Sequence, residues 1–198
     1  MLRVLGKSTS INVRKVLWTC DELELVYEHC DSGPGLTSHP NGLVPVIVDG
    51  DFVLWESNTI IRYLAGKTAA ETLLPSDPRQ RAEVEKWIDW QASDFNAAWR
   101  YAFSAIARRN PAFDDPRQIA ASKREWACMV GIVERQLAAT GAYIAGERFT
   151  LADIPIGLSI NRWFMTAMER PSFPAVAAYY ERLSMRPAFL RHGRNGVD

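Results

Sequence analysis

The sequence predicts an α/β unit over residues 1–76 followed by an all-α unit over residues 77–198. Up to residue 66, short apolar runs typical of strands alternate with two helical patterns. Beyond a linker at 66–77 the strand signals stop and long helical periodicities take over. The chain has 198 residues and 47% of them are hydrophobic, which is enough to furnish a substantial core.

The first three elements follow directly from apolar spacing. Residues 2–5 form an apolar run that predicts a strand. The sequence Ser8-Thr9-Ser10 can cap a helix, because the next apolar side chains recur at helical spacing: Val13, Val16, Leu17, Cys20 and Leu23. A second strand is predicted at residues 26–30.

A hairpin and a second helix complete the α/β unit. Asp49-Gly50 separates the runs 44–48 and 52–55, and this pair tolerates the positive φ angles of a tight turn. A helix then follows Glu56-Ser57 and ends near Gly66, with these apolar positions: Ile60, Ile61, Tyr63 and Leu64.

Four helical patterns fill the second unit, at residues 78–109, 115–139, 150–168 and 172–185. Thr150 and Asp153 have capping-box spacing, in which the Thr hydroxyl accepts a backbone N–H and the acid reaches back to the cap. For each large aromatic residue in these helices, ordinary core packing is the favoured interpretation, although we expect some to line a site.

Composition excludes several function classes. Twenty-three basic residues balance twenty-three acidic ones, so the composition lacks the excess of positive charge that is typical of proteins that bind nucleic acid. No run of eighteen apolar residues and no signal-peptide stretch occurs, which predicts a cytoplasmic protein without a membrane partner. Cys20, Cys30 and Cys128 lack close spacing and predict reduced thiols. No metal-binding or nucleotide-binding motif is present, so no metal or bound cofactor is expected.

Four segments together carry a resemblance that spans nearly the whole chain. They are residues 10–16 (Ser-Ile-Asn-Val-Arg-Lys-Val), 41–46, 55–64 and 149–154. In order and spacing they resemble the soluble glutathione transferases, specifically bacterial members with a Ser/Asn pair. The resemblance implies a thioredoxin-like first unit that binds glutathione as a substrate, and a helical unit that supplies the second-substrate pocket.

Ser10 and Asn12 are the catalytic candidates. The resemblance implies that the Ser10 hydroxyl donates a hydrogen bond to the glutathione sulfur, with Asn12 as a second donor. Ser8 is the second choice for this role. A simple N-cap role for Ser10 is the alternative from the residues alone.

Val44, Pro45, Glu56 and Ser57 are the glutathione-binding candidates. Pro45 suits the first residue of a strand, because proline has no N–H to donate to a sheet. The bond before a proline is the one peptide bond at which the cis form costs little free energy, and a trans proline is the alternative. The resemblance implies a cis bond that presents the Val44 backbone to the cysteinyl group. Glu56-Ser57 lies at a helix start, which favours an anion, and the resemblance assigns this pair to the γ-glutamyl group. A helix cap with one solvated acid is the alternative.

One departure from the family pattern lies between the second strand and Val44. Only residues 31–43 are available there, so the helix that family members carry is expected to be missing or reduced to a turn. Leu43 offers no donor for the glycyl carboxylate of glutathione. His39 is the one base left in the segment, and a solvated loop histidine is the favoured interpretation.

The predicted function is a glutathione S-transferase that activates the glutathione thiolate for attack on a hydrophobic electrophile. Two alternatives stay open: a glutathione-dependent peroxidase or disulfide reductase, and a non-catalytic ligand-binding or interaction protein. The resemblance also implies a homodimer in which the helix at 78–109 faces the other chain. Asp94 on that helix is either a residue that reaches the γ-glutamyl amine across the interface or an exposed acid.

Overall fold

The first unit is built on a four-stranded mixed sheet. The computed structural model describes residues 1–33 and 35–196. Pro34, within the short segment, and positions 197 and 198 of the predicted helical unit lie outside the described residues. The elements of the first unit are β1 (Leu2–Leu5), α1 (Ile11–Glu22), β2 (Tyr27–Cys30), β3 (Val46–Asp49), β4 (Phe52–Trp55) and α2 (Ser57–Lys67). The predicted strand–helix order and hairpin are confirmed.

The sheet order is β2-β1-β3-β4. β1 pairs in parallel with β2, while β3 runs antiparallel to both β1 and β4. Leu5 of β1 lies opposite Val46 of β3, so the chain just before β3 is brought beside the loop that leaves β1. That loop leads into α1, and the topology therefore places Val44 near the start of this helix.

The segment between β2 and β3 contains only a 3-10 turn, Leu36–Ser38, among its described residues. The expected loss of a full helix is confirmed for that part of the segment. Leu36 packs against a small cluster of Leu5, Val46 and Val48, so the turn covers this face of the sheet. The other face packs against α1 and α2 as part of the main core.

Among the described residues of the second unit, the regular elements are helices, apart from one isolated β-bridge between Tyr143 and Gly146. Its helices are α3 (Pro78–Trp90), α4 (Asn96–Ile106), α5 (Pro116–Thr140), α6 (Asp153–Met165), α7 (Pro174–Leu183) and α8 (Pro187–His192). The predicted continuous helix at 78–109 is wrong in detail, because a five-residue π-helical segment, Gln91–Phe95, separates α3 from α4. The helix α8 was not predicted: it has only six residues, and Pro187 begins it rather than ending α7.

At the start of α6 the predicted role of the Asp153 carboxylate in a capping box is confirmed, whereas the predicted role of the Thr150 hydroxyl is wrong. Asp153 Oδ2 accepts hydrogen bonds from the Thr150 N–H (2.7 Å) and from the Thr150 hydroxyl (3.1 Å). The Thr150 hydroxyl is thus a donor to the acid, not an acceptor of a backbone N–H. Asp153 Oδ1 accepts from the Ile144 N–H and the Tyr179 hydroxyl, both at 2.9 Å. The fully buried carboxylate therefore joins α6 to α7 and to the preceding loop.

Close packing of α1 against the helical unit fixes where the start of α1 lies. The Trp18 ring contacts Phe149 and Phe189, with centroids at 5.9 and 5.0 Å. Gly157 of α6 allows this approach, because a Cβ there would lie 2.7 Å from Leu183 and 3.0 Å from Trp18. The end of α1 is tied to the helical unit as well, since Arg186 donates to Glu22 at 2.9 Å.

Candidate active site

A cleft of about 570 Å³ lies where the start of α1 faces the helical unit. One wall comes from the loop after β1, the start of α1 and Val44; the opposite wall comes from α4, the residues just after it, and α6. The cleft is lined by Lys7, Thr9, Ser10, Ile11, Asn12, Asp31, Leu36, Val44, Asn96, Trp99, Arg108 and Arg162. Ser10, Asn12 and Val44, predicted separately from the sequence, are brought together here.

Ser10 occupies the N-cap position of α1, but its side chain does not cap the helix. Its N–H donates to the Lys7 carbonyl and its own carbonyl accepts from the Arg14 N–H, both at 3.0 Å. The hydroxyl forms no hydrogen bond with any described residue. Ser8 is exposed and does not line the cleft. Ser10 therefore presents a free hydroxyl at the positive end of a helix.

Val44 lies directly against the loop between β1 and α1. Gly6 in that loop has φ +131°, and a Cβ there would approach Val44 Cβ to 2.7 Å and Val13 Cγ2 to 2.8 Å. Only glycine permits this contact. The Val44–Pro45 peptide bond is cis, as expected. Within the described part of the chain, neither the N–H nor the C=O of Val44 forms a hydrogen bond, so both are available to an extended ligand.

Glu56 and Ser57 lie at the start of α2 and do not line the cleft itself. Glu56 is exposed and has φ 72°, a left-handed conformation uncommon for a residue other than glycine. No side chain caps α2, so its first N–H groups stay available to an anion. Ser57 is buried at this start.

Lys15 links the starts of α1 and α2. The side chain is buried, and its Nζ donates to Asn58 Oδ1 at 3.1 Å. Burial and the nearby Arg162 charge lower the pKa of Lys15 to about 8, although Glu56 opposes the shift. The lysine thus adds positive charge between the two helix starts at neutral pH.

His39 is not the solvated loop histidine that the sequence favoured, because it is only 5% exposed. Its ring lies 5.1 Å from the Trp55 ring, and Nδ1 accepts from the Asn41 N–H at 3.1 Å. That bond keeps Nδ1 as the acceptor. Leu43 is 58% exposed. Neither residue lines the cleft.

The helical wall contains residues that sequence reasoning missed as site residues. The Arg162 guanidinium lies between the Trp99 and Phe103 rings, 4.2 and 4.1 Å from their centroids. Arg108 follows α4 and lies 5.3 Å from the Phe103 centroid. Trp99 is the aromatic residue of the helices that lines this cleft, whereas Trp126 and others pack in the core. The π-helical segment has more residues per turn than an α-helix, so it changes which side of α4 faces the cleft.

Asp94 lies in the π-helical segment and is exposed. Its Oδ2 accepts a hydrogen bond from the Ser93 hydroxyl at 2.9 Å. Among the residues that the structure describes, no group of three His, Cys, Asp or Glu side chains is placed to hold a metal ion. No helix within them is long and apolar enough to cross a membrane.

Two family models match the chain in succession. The first, described as "Glutathione S-transferase, N-terminal domain", covers residues 5–72, and the second, "Glutathione S-transferase, C-terminal domain", covers residues 99–187. Together they agree with an α/β thioredoxin-like unit followed by a helical unit. The fold class expected from the resemblance is therefore confirmed.

Individual relatives match over almost the full length. Glutathione S-transferase GstB of Escherichia coli K12 is 35% identical, with 95% of each chain covered. The structure of a theta class glutathione S-transferase from Xanthomonas axonopodis pv. citri, with glutathione bound, superimposes with a TM-score of 0.90 at 35% identity. That match covers 100% of this chain and 99% of the other. The disulfide-bond oxidoreductase YfcG of E. coli K12 is 27% identical, with 89% of this chain and 87% of that protein covered.

Proposed function

The chain belongs to the glutathione S-transferase family, and on that premise we propose that Ser10 activates the thiol of bound glutathione for attack on an electrophile. The observation that carries the proposal is the free Ser10 hydroxyl, which lines a cleft together with Val44 at the start of α1. A hydroxyl that already accepted a hydrogen bond from a backbone N–H of its own helix would be less free to orient toward a ligand.

Thiol activation needs only modest stabilisation of the thiolate. A thiol with a pKa of about 8.5 is about 3% ionised at pH 7, and lowering the pKa by about two units makes it roughly three-quarters ionised. This shift corresponds to about 2.7 kcal/mol. The Ser10 hydroxyl, the Asn12 amide and the N-terminus of α1 together supply donors and positive potential of that size.

The backbone around Val44 and the start of α2 position the rest of glutathione. The free N–H and C=O of Val44 pair with the cysteinyl residue as a short antiparallel strand, held in register by Pro45. The first N–H groups of α2 and the Ser57 hydroxyl hold the γ-glutamyl carboxylate, and the Glu56 carboxylate accepts from its ammonium group.

The chemical step is a substitution or addition at carbon. The thiolate sulfur donates its electron pair to the electrophilic carbon, an S–C bond forms, and in a substitution the leaving group departs with the electron pair of its bond. The second substrate occupies the cleft between the two walls, where Trp99 of the helical wall and Ile11 and Leu36 of the α/β unit provide apolar contacts for a hydrophobic electrophile.

Reduction of disulfides through glutathione is the second candidate, favoured by the similarity to YfcG. The same thiolate would perform it. A protein thiol is poorly suited to share the work, because Cys20, Cys30 and Cys128 do not line the cleft. Burial also raises the pKa of Cys20 to about 12 and raises the pKa of Cys30. Conjugation remains the function that the site supports best.

We also propose a cytoplasmic homodimer. The edge strand β4 carries Phe52, Val53 and Trp55, all more than a third exposed, and this apolar strip suits burial against α3 of a second chain. Asp94 would then reach the γ-glutamyl ammonium across the interface. The mass of the particle in light scattering checks the assembly.

Replacement of Ser10 tests the catalytic assignment. Ser10→Ala should reduce kcat about 10- to 100-fold, because it removes a hydrogen bond to sulfur worth about 1.4–2.7 kcal/mol. Ser8→Ala is the matched control and should retain wild-type turnover, since Ser8 lies outside the cleft. A loss in Ser8→Ala with normal turnover in Ser10→Ala would transfer the role to Ser8.

A further inference from the structure

A second hollow of about 570 Å³ adjoins the cleft along α4. The two hollows share Asn96, Trp99 and Arg108. We call the second one the α4 chamber; besides those three residues, its polar lining consists of Ser93, Arg100, Ser104 and Asn110. A molecule that reacts beside Ser10 can therefore extend past Trp99 into this chamber.

The charge of the α4 chamber is one-sided. Arg100 and Arg108 line it, and no Asp or Glu is found among its described lining residues. Both side chains are exposed, and neither guanidinium group forms a hydrogen bond or an ion pair within residues 1–33 and 35–196. Three acids lie nearby in sequence, and none of them lines the chamber. Asp94 accepts from the hydroxyl of the lining residue Ser93, Asp115 accepts from the Arg117 N–H at 2.8 Å, and Asp114 is exposed.

Trp99 lies where the two hollows meet. It lines both of them and is only 9% exposed, so its ring offers an apolar surface to a ligand that passes from one hollow to the other. The two guanidinium groups beside this ring are the charged donors of the α4 chamber. Carboxylate oxygens match the planar fork of a guanidinium.

We propose that the second substrates of this enzyme are electrophiles that carry a carboxylate, which Arg108 and Arg100 hold in the α4 chamber. This inference rests on the proposed function, because it places the reacting carbon at the thiolate beside Ser10. The apolar body of the substrate packs against Trp99. Selectivity then arises from the acid group, because a neutral analogue forms no ion pair with either guanidinium group.

A pair of aromatic chlorides tests the proposal. In 4-chloro-3-nitrobenzoate and 4-chloro-3-nitrobenzamide the thiolate adds to the carbon that bears chlorine, and chloride then leaves with the bonding electron pair. Each kcat/KM is divided by the uncatalysed rate constant with glutathione, which removes the different activation of the two rings. Arg108→Gln is compared with Arg109→Gln, an exposed neighbour that lines neither hollow.

We expect Arg108→Gln to lower the normalised kcat/KM for the benzoate about fivefold to tenfold, with less than about a twofold change for the benzamide. Arg109→Gln should leave both values and the ratio between them unchanged. The KM for glutathione should stay constant in both variants. Equal losses for acid and amide in Arg108→Gln, or equal losses in Arg109→Gln, would overturn the proposal.

Binding without reaction separates this inference from the proposed function. Quenching of tryptophan fluorescence by 3-nitrobenzoate and by 3-nitrobenzamide is measured in the presence of glutathione. Tighter binding of the benzoate that is lost in Arg108→Gln would support the chamber even if neither chloride were conjugated, in which case the proposed function alone would fail. Equal affinity for acid and amide would overturn the chamber assignment while leaving conjugation intact.

Discussion

The two walls of the cleft recognise ligands in different ways. The α/β wall offers backbone groups and helix starts: the free N–H and C=O of Val44, the uncapped start of α2 and the Ser10 hydroxyl at the start of α1. The helical wall offers side chains from separate elements, chiefly Asn96, Trp99, Arg108 and Arg162. Backbone recognition suits a constant substrate, whereas a wall of side chains can change its specificity one residue at a time.

The helical wall depends on the buried carboxylate of Asp153, and its loss should give the largest effect. Asp153→Ala removes the carboxylate that accepts from four buried donors: the N–H groups of Thr150 and Ile144 and the hydroxyls of Thr150 and Tyr179. We expect the free energy of unfolding in urea to fall by about 3 kcal/mol. Glu147→Ala, an exposed acid nearby, should change it by less than about 0.5 kcal/mol.

The pH dependence of stability sharpens this prediction. Burial raises the pKa of Asp153 to about 6, against the pull of its hydrogen bonds. A folded-state pKa above the unfolded value of about 3.9 means that the folded state binds the proton more tightly than the unfolded state does. The stabilisation that comes from this protonation is complete below about pH 4 and is lost as the pH rises through 6. Wild type should therefore lose about 2 kcal/mol relative to Asp153→Asn between pH 4 and 7. A constant difference would contradict the raised pKa.

On the α/β wall, Glu56→Gln should weaken glutathione binding by about tenfold. The change removes a charge-assisted acceptor of the γ-glutamyl ammonium group but leaves the backbone groups of α2 in place. Calorimetric titration with glutathione measures the affinity. Asp51→Asn, another exposed acid in the same unit, is the control and should bind glutathione normally. An equal loss in the control would point to overall charge rather than to a contact.

The smallest effect is expected at the glycyl end of glutathione. Leu43 offers no donor, and the described residues of the segment 31–38 include no Lys or Arg. A carboxylate with only a solvent-exposed partner gains roughly 0–1 kcal/mol, so amidation of the glycyl carboxylate should weaken binding less than about fivefold. If His39 holds it, amidation and His39→Ala should each reduce affinity, and the two together should add nothing further.

A different result would be a large loss of glutathione affinity on amidation that His39→Ala does not change. It would show that a base outside the segment holds the glycyl carboxylate. Lys7 is then the first residue to replace, because it lines the cleft on the same wall as Ser10.

The same contrast explains what the sequence could predict. The hairpin, the cis bond before Pro45 and the Glu56-Ser57 helix start are local, and short motifs specify them. Arg108 and Arg162 belong to the cleft only because a π-helical segment rotates α4 and because α6 packs against α1, and neither event has a local signal. His39 was misjudged for the same reason: its burial depends on Trp55, sixteen positions along the chain.

The thiol pKa of bound glutathione tests the central claim most directly. The ultraviolet absorbance of the thiolate is followed as a function of pH with saturating glutathione in wild type, Ser10→Ala and Ser8→Ala. We predict a midpoint near pH 6.5 for wild type and Ser8→Ala, and a midpoint at least about one unit higher for Ser10→Ala, since one unit corresponds to about 1.4 kcal/mol of lost hydrogen bonding. Identical midpoints in wild type and Ser10→Ala would contradict the assignment of Ser10 as the residue that activates the thiol.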